Sequence, residues 1–91
     1  MADIKVEKLS EEELRKLNVY RWPIWKKEVS RFNWSYGSKE RCYILEGRGV
    51  VETPDGEKVE FGRGDFVTFP AGLECVWDIK EDIRKHYNLG G

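Results

Sequence analysis

An all-β sandwich or barrel behind one short N-terminal helix is the fold predicted for this 91-residue chain. Three observations predict it. Short alternating segments recur between glycine- and proline-bearing turns. A single helix-capping signal stands near the start. Four each of Trp, Tyr and Phe supply large rings, which give a short chain more buried area per residue than aliphatics would. Strands at this spacing after one helix define a sandwich or barrel rather than a βαβ fold. A chain of this size holds one core and hides only roughly 60% of its unfolded surface, so one domain is expected over residues 1–91, with the barrel over about 25–89.

The elements follow in order. Ser10 and Glu13 have the spacing of a capping box, and Leu9, Leu14 and Leu17 form an apolar edge. "SEEELRKL" is therefore a helix of about two turns, stopped at Asn18 and laid over the barrel. Pro23, between Trp22 and Trp25, excludes a central strand position. "KKEVSRFNWSY" alternates, with Phe32, Trp34 and Tyr36 on one face and Arg31, Asn33 and Ser35 on the other. "RCYILEG" and "GVVET" are expected as two strands joined by a turn at Gly47–Gly49. "TPDGEKVEF" is a hairpin turning at Asp55-Gly56. "DFVTFP" and "LECVWDI" flank a turn at Pro70-Ala71-Gly72, "IRKHYNL" closes the chain, and Gly90-Gly91 are expected as a loose tail.

Charge narrows the function classes. Sixteen basic and seventeen acidic side chains nearly cancel and form no basic stripe, which disfavours nucleic acid as a partner. No stretch approaches eighteen consecutive apolar residues, so no membrane span is expected. The first residues, "MADIKVEKLSEEELRKL", lack an apolar core and a small-residue cleavage site. The expected location is cytoplasmic, with Cys42 and Cys75 as reduced thiols.

Two stretches carry a family resemblance. "ERCYILEG", Glu40 to Gly47, resembles the later part of the first cupin motif, in which a Glu is followed by a Gly. "GDFVTFPAGLEC", Gly64 to Cys75, is similar to the second motif, G-x5-P-x-G-x2-H, with Cys75 where the His belongs. With "RWPIW", "CVWD" and "RKHYNL", the chain resembles the small single-domain cupins (RmlC-like jelly rolls) grouped with the (S)-ureidoglycine aminohydrolase cupin domain. The resemblance implies a compact jelly-roll barrel with one mouth open to a cavity.

The family's metal-binding members use two His and a Glu from the first motif and a His from the second. Here Glu40 matches the Glu. Trp34 and Tyr36 fall at the two His positions of one allowed spacing, Asn33 and Ser35 at those of the other, and Cys75 at the last ligand position. Manganese, implied by the aminohydrolase relatives, prefers carboxylate and water to thiolate, whereas zinc, copper or iron accept a cysteine. His86, the one histidine, is the candidate third ligand. Strand parity puts Ile83, Lys85, Tyr87 and Leu89 on one face and Arg84, His86 and Asn88 on the other, and an inward apolar set sends His86 out. No tightly held metal is the favoured reading; if one is present, Glu40, Cys75 and His86 are its ligands, with zinc, copper or iron before manganese.

Parity also defines a second constellation. If Glu40 points inward, so do Cys42 and Ile44, and Cys75 and Trp77 share a face. A pocket walled by Trp34, Tyr36 and Trp77, floored by Cys42 and Cys75 and holding Glu40 as its single acid would suit a small organic ligand. Glu40 would then suit a general acid or base, and Cys75 a nucleophile if a base lies within reach. The bland counterpart is a small barrel filled by its own side chains. Lys80, Arg84 and Lys85 are expected as a solvated charged surface. Three classes follow. One is a metal-independent cupin that binds, or also transforms, a small organic molecule. Another is a metalloenzyme related to the aminohydrolase. The third is a non-catalytic domain that assembles with a partner or with itself through exposed Trp22 and Trp25, a homodimer being the family's expectation. The first is favoured, because the replacements remove most of the metal set while the barrel motifs survive.

Overall fold

The capping signal forms as its spacing requires. Ser10 Oγ accepts from the Glu13 backbone N–H at 3.1 Å, and the Glu13 carboxylate accepts from the Ser10 N–H at 3.0 Å. They start α1 (Glu11–Lys16), which has an acidic first turn and a basic last turn, as the helix dipole favours. Asn18 ends it in the left-handed region, φ 59°, and a 3-10 turn follows at Val19–Arg21. Leu14, Val19 and Phe66 bury one another, with Leu17 and Trp22 packed alongside, so the helix covers the sheet from outside.

The structure, a computed structural model, describes residues 4–90. Its strands are β1 (Lys5–Glu7), β2 (Ile24–Lys27), β3 (Ser30–Ser35), β4 (Glu40–Glu52), β5 (Lys58–Gly62), β6 (Phe66–Phe69) and β7 (Glu74–Leu89). All pairings are antiparallel; β1-β6-β4-β7-β2 lie side by side, with β3 also on β7 and β5 also on β4. The two long strands are shared. β4 pairs β6 through its first residues and β5 through its last, while β7 pairs β3 first and β2 later. This division curls the sheet into the all-β jelly roll that the sequence predicts.

Three local expectations are corrected. Gly47–Gly49 is no turn between two strands, because β4 runs through it continuously. Register shifts against β7 at Ile44–Glu46, Glu46–Arg48 and Arg48–Gly49 make it a bulged bend. Gly47, φ 95°, is required because a Cβ there would overlap the Asp82 carbonyl on β7. Likewise "LECVWDI" and "IRKHYNL" form the single sixteen-residue strand β7. The third difference is β1, a strand ahead of the helix that pairs with β6 and for which three residues give no periodic signal. The Asp55-Gly56 turn forms, with the Gly56 N–H donating to the Thr53 carbonyl at 2.9 Å. The Gly90 N–H donates to the Lys39 carbonyl at 2.7 Å, so Gly90 is tied down; Gly91 lies outside the described residues.

The barrel interior is packed at its centre. Trp77, 2% exposed, has the rings of Phe61 and Phe69 at 5.1 and 5.6 Å and stacks on Phe32 at 6.3 Å. Ring pairs in this range add to the stability given by their buried area.

Candidate functional site

At the mouth of the barrel the packing opens into a cavity of 520 Å³. Its walls are Trp25, Phe32, Trp34, Tyr36, Trp77 and Tyr87, and its polar groups include Glu40 and Lys85. Cross-strand pairing assembles the walls: Phe32 faces Trp77 and Trp34 faces Cys75 between β3 and β7, while Trp25 faces Lys85 between β2 and β7. Tyr36 sits just past β3, its N–H donating to the Leu73 carbonyl at 2.9 Å. Its ring lies parallel to Phe69 at 4.9 Å, and its hydroxyl accepts from the Trp77 indole N–H at 3.0 Å. Burial, more than the nearby Glu40, pushes the Tyr36 hydroxyl pKa far up, so this group stays a neutral donor and acceptor.

The floor is an ion pair that the sequence reading does not contain. Lys85 Nζ lies 2.6 Å from Glu40 Oε2, and the two residues are 5% and 6% exposed. The ammonium also stands 4.7 Å from the Trp77 ring centre, 4.9 Å from Trp25 and 6.0 Å from Phe69. Removing a lone charge from water is prohibitive, but a carboxylate partner and the negative faces of rings offset much of that penalty. Glu40 is the one acid lining the cavity among the described residues, but it is ion-paired rather than alone, and Lys85 is not part of a solvated surface. Lys80 and Arg84 do lie outside, at 2.8 Å from Asp78 and Glu46 respectively.

The other sequence-derived residues divide. Trp34, Tyr36 and Trp77 line the cavity together with Glu40. Cys42 is fully sealed in the core, so it is packing and not floor. Cys75, 5% exposed, lies against a neighbouring open groove with Glu52, Thr53 and Glu74. Burial pushes the Cys75 thiol up to about 11 and the Cys42 thiol up to about 12. Both are protonated near neutrality, a poor state for a nucleophile or for a soft metal ligand. His86 points away from the cavity, as parity requires, yet it is 7% exposed and not in solvent. The N-terminal segment covers it: Nδ1 is 2.9 Å from the Trp22 carbonyl oxygen, and the Tyr20 ring meets it edge-on at 5.9 Å.

Glu40, Cys75 and His86 are thus not brought together, and no group of three or more His, Cys, Asp or Glu among the described residues is placed to hold a metal. The donor set does not fit the family's metal for a further reason. A cation on Glu40 would stand against the Lys85 ammonium already there. Trp22 and Trp25, expected as exposed anchors, are half-buried: Trp22 packs by Phe66 and Trp25 by Trp77. Trp25, Phe32, Tyr87 and Lys85 are the site residues missed. The signal for Lys85 was its place on the inward face with Ile83 and Tyr87.

A jelly roll that carries stretches resembling the two cupin motifs points to a cupin-type domain. The chain belongs to the EutQ-like cupin domain family, whose model matches residues 14–87. A DUF861 family protein from Thermotoga maritima is 54% identical and has a TM-score of 0.94, the match covering 96% of this chain and 99% of that one. The Clostridium difficile EutQ protein (19% identity, 98% and 68% covered, TM-score 0.69) shares the fold. So does a putative ethanolamine utilization protein Q from Salmonella typhimurium, at 18% identity, 96% and 68% covered and TM-score 0.67. No curated protein matches the chain.

Proposed function

We propose that this cupin holds a small organic molecule in its ring-lined cavity without a metal ion. The observation that supports it is the cavity itself: 520 Å³, walled by aromatic side chains and floored by a few convergent polar groups, the usual composition of a small-molecule site. The barrel is filled around Trp77 and opens beside it into this cavity, so the aromatic residues serve both as core and as wall. Trp34 and Leu89, 47% and 57% exposed, stand at the rim, where apolar surface meets an entering ligand. Glu40, which matches the ligating Glu of the metal-binding cupins that the sequence resembles, is paired here with Lys85.

The test pairs ligand binding with metal content. Small aromatic compounds are titrated while tryptophan fluorescence is followed, with and without a chelator, and the protein is assayed for bound elements. Binding that survives chelation and weakens at least tenfold in Trp34→Ala, about the effect of losing one ring contact, agrees with the proposal. Near-stoichiometric zinc, copper or iron, lost together with binding on chelation or in Glu40→Gln, overturns it in favour of a metal-dependent cupin.

A further inference from the structure

The cavity floor restricts what the site accepts, an inference that rests on the reading of the cavity as a binding site. Lys85 Nζ carries three N–H donors and gives one to Glu40 Oε2; no other acceptor reaches it among the described residues. Glu40 Oε1 likewise accepts no hydrogen bond there. Arg41 Nε is the one sealed side-chain polar atom without a partner among the described residues, so Glu40 Oε1 is not sealed off and is open to the cavity that Glu40 lines. An acceptor and a donor therefore stand side by side at the base of a ring-lined slot. Beside them the Tyr36 hydroxyl, already accepting from Trp77, retains its own hydrogen to donate.

Charge decides between ligand classes. The pair is neutral as a unit. An anion would set a second negative group against Glu40 in a low-dielectric site, and a cation would meet the Lys85 ammonium. The aromatic cage that would attract a cation is already filled by that ammonium, 4.7 and 4.9 Å from the Trp77 and Trp25 ring centres. A purely apolar ring would leave Lys85 N–H and Glu40 Oε1 stripped of water and unpaired, which is unfavourable. What satisfies every group at once is a neutral flat molecule with a carbonyl and an N–H on adjacent atoms.

We infer that the cavity binds a neutral planar heterocycle of the lactam type, its ring between the aromatic walls, its carbonyl accepting from Lys85 and its N–H donating to Glu40 Oε1. Four simple probes test this by ¹H–¹⁵N NMR of the tryptophan indole N–H signals: 2-pyridone, N-methyl-2-pyridone, benzoate and benzylammonium. The Trp77 signal reports the cavity, and Trp22, packed in the separate outer cluster with Phe66, serves as the internal reference. The expected result is a concentration-dependent shift of Trp77 and not of Trp22, with 2-pyridone binding at least about tenfold more tightly than the other three, the effect of one well-placed hydrogen bond. In the double variant Glu40→Leu/Lys85→Met, which leaves no buried charge unpaired and no acceptor at position 40, the advantage of 2-pyridone over its N-methyl form falls to about one.

Equal binding of the two pyridones, or tighter binding of benzoate or benzylammonium, overturns the lactam assignment and leaves the cavity as a ligand site of another class. Retention of the pyridone preference in the double variant overturns the roles given to Glu40 and Lys85. If none of the four moves the Trp77 signal up to its solubility limit, the cavity reading itself fails, and the lactam assignment with it.

Discussion

Lys85 places a charge where a lysine is rarely found, and its neighbours account for that. Removing one partner of a buried pair strands the other, so Lys85→Met and Glu40→Gln are each expected to lose about 3–5 kcal/mol in urea denaturation. The double variant should lose clearly less than the sum, and additivity would mean the pair is not coupled. Parity alone placed Lys85 on the inward face, but the tendency of lysine to stay in water pointed outward. What settles it is the ring cage, which exists only once β2 pairs with β7, a contact no local pattern encodes. His86 is the mirror case: its face was legible, but its cover arrives from Trp22 and Tyr20. The thiols give a second expectation. Burial raises Cys42 from 9.0 to about 12 and Cys75 to about 11. The folded protein thus keeps these protons after the unfolded chain has released them. The resulting stability is complete below about pH 9 and falls as pH rises toward 12. At pH 8 a thiol reagent should modify the two cysteines only after unfolding; rapid labelling of the native protein would contradict the burial.

Among the elements, those defined by neighbouring residues were read directly and those defined by distant ones were not. The Ser10–Glu13 box closes within one turn, and Asp55-Gly56 closes its own hairpin, so both were visible in short strings. Ser10→Ala should lower stability by about 1 kcal/mol, measured as a shift of the urea midpoint. Gly47 looked like a turn residue because its partner is the Asp82 backbone on β7, far along the chain. Gly47→Ala combines a positive φ with overlap against that carbonyl and is expected to lose more than about 2 kcal/mol. Gly56→Ala, also at positive φ but with open space around its Cβ position, should lose about 1–2 kcal/mol. Equal losses at the two positions would show that the bend in β4 relaxes away from β7. The same logic explains why β7 was divided in the sequence reading: its polar middle, Lys80 to Asp82, breaks the alternation although the backbone continues as a strand.

For the whole molecule, the order of pairing governs how it forms. β1 pairs with β6, β3 with β7, and β4 with three different strands, so most contacts join distant parts of the chain. Such topologies refold in roughly milliseconds to seconds. Stopped-flow refolding followed by tryptophan fluorescence should fall in that range, and a microsecond phase carrying the full amplitude would argue against barrel closure as the slow event. Temperature brings out a further consequence of the charged floor. The hydration of ions carries a strongly negative entropy, so the penalty for withdrawing Glu40 and Lys85 from water shrinks on heating, while hydrophobic stabilisation per unit area levels off. The cost that the charged floor imposes on the folded state in the cold shrinks as the solution warms, so the Glu40→Gln/Lys85→Met barrel should compare most favourably with the native one at low temperature and least favourably near its melting point.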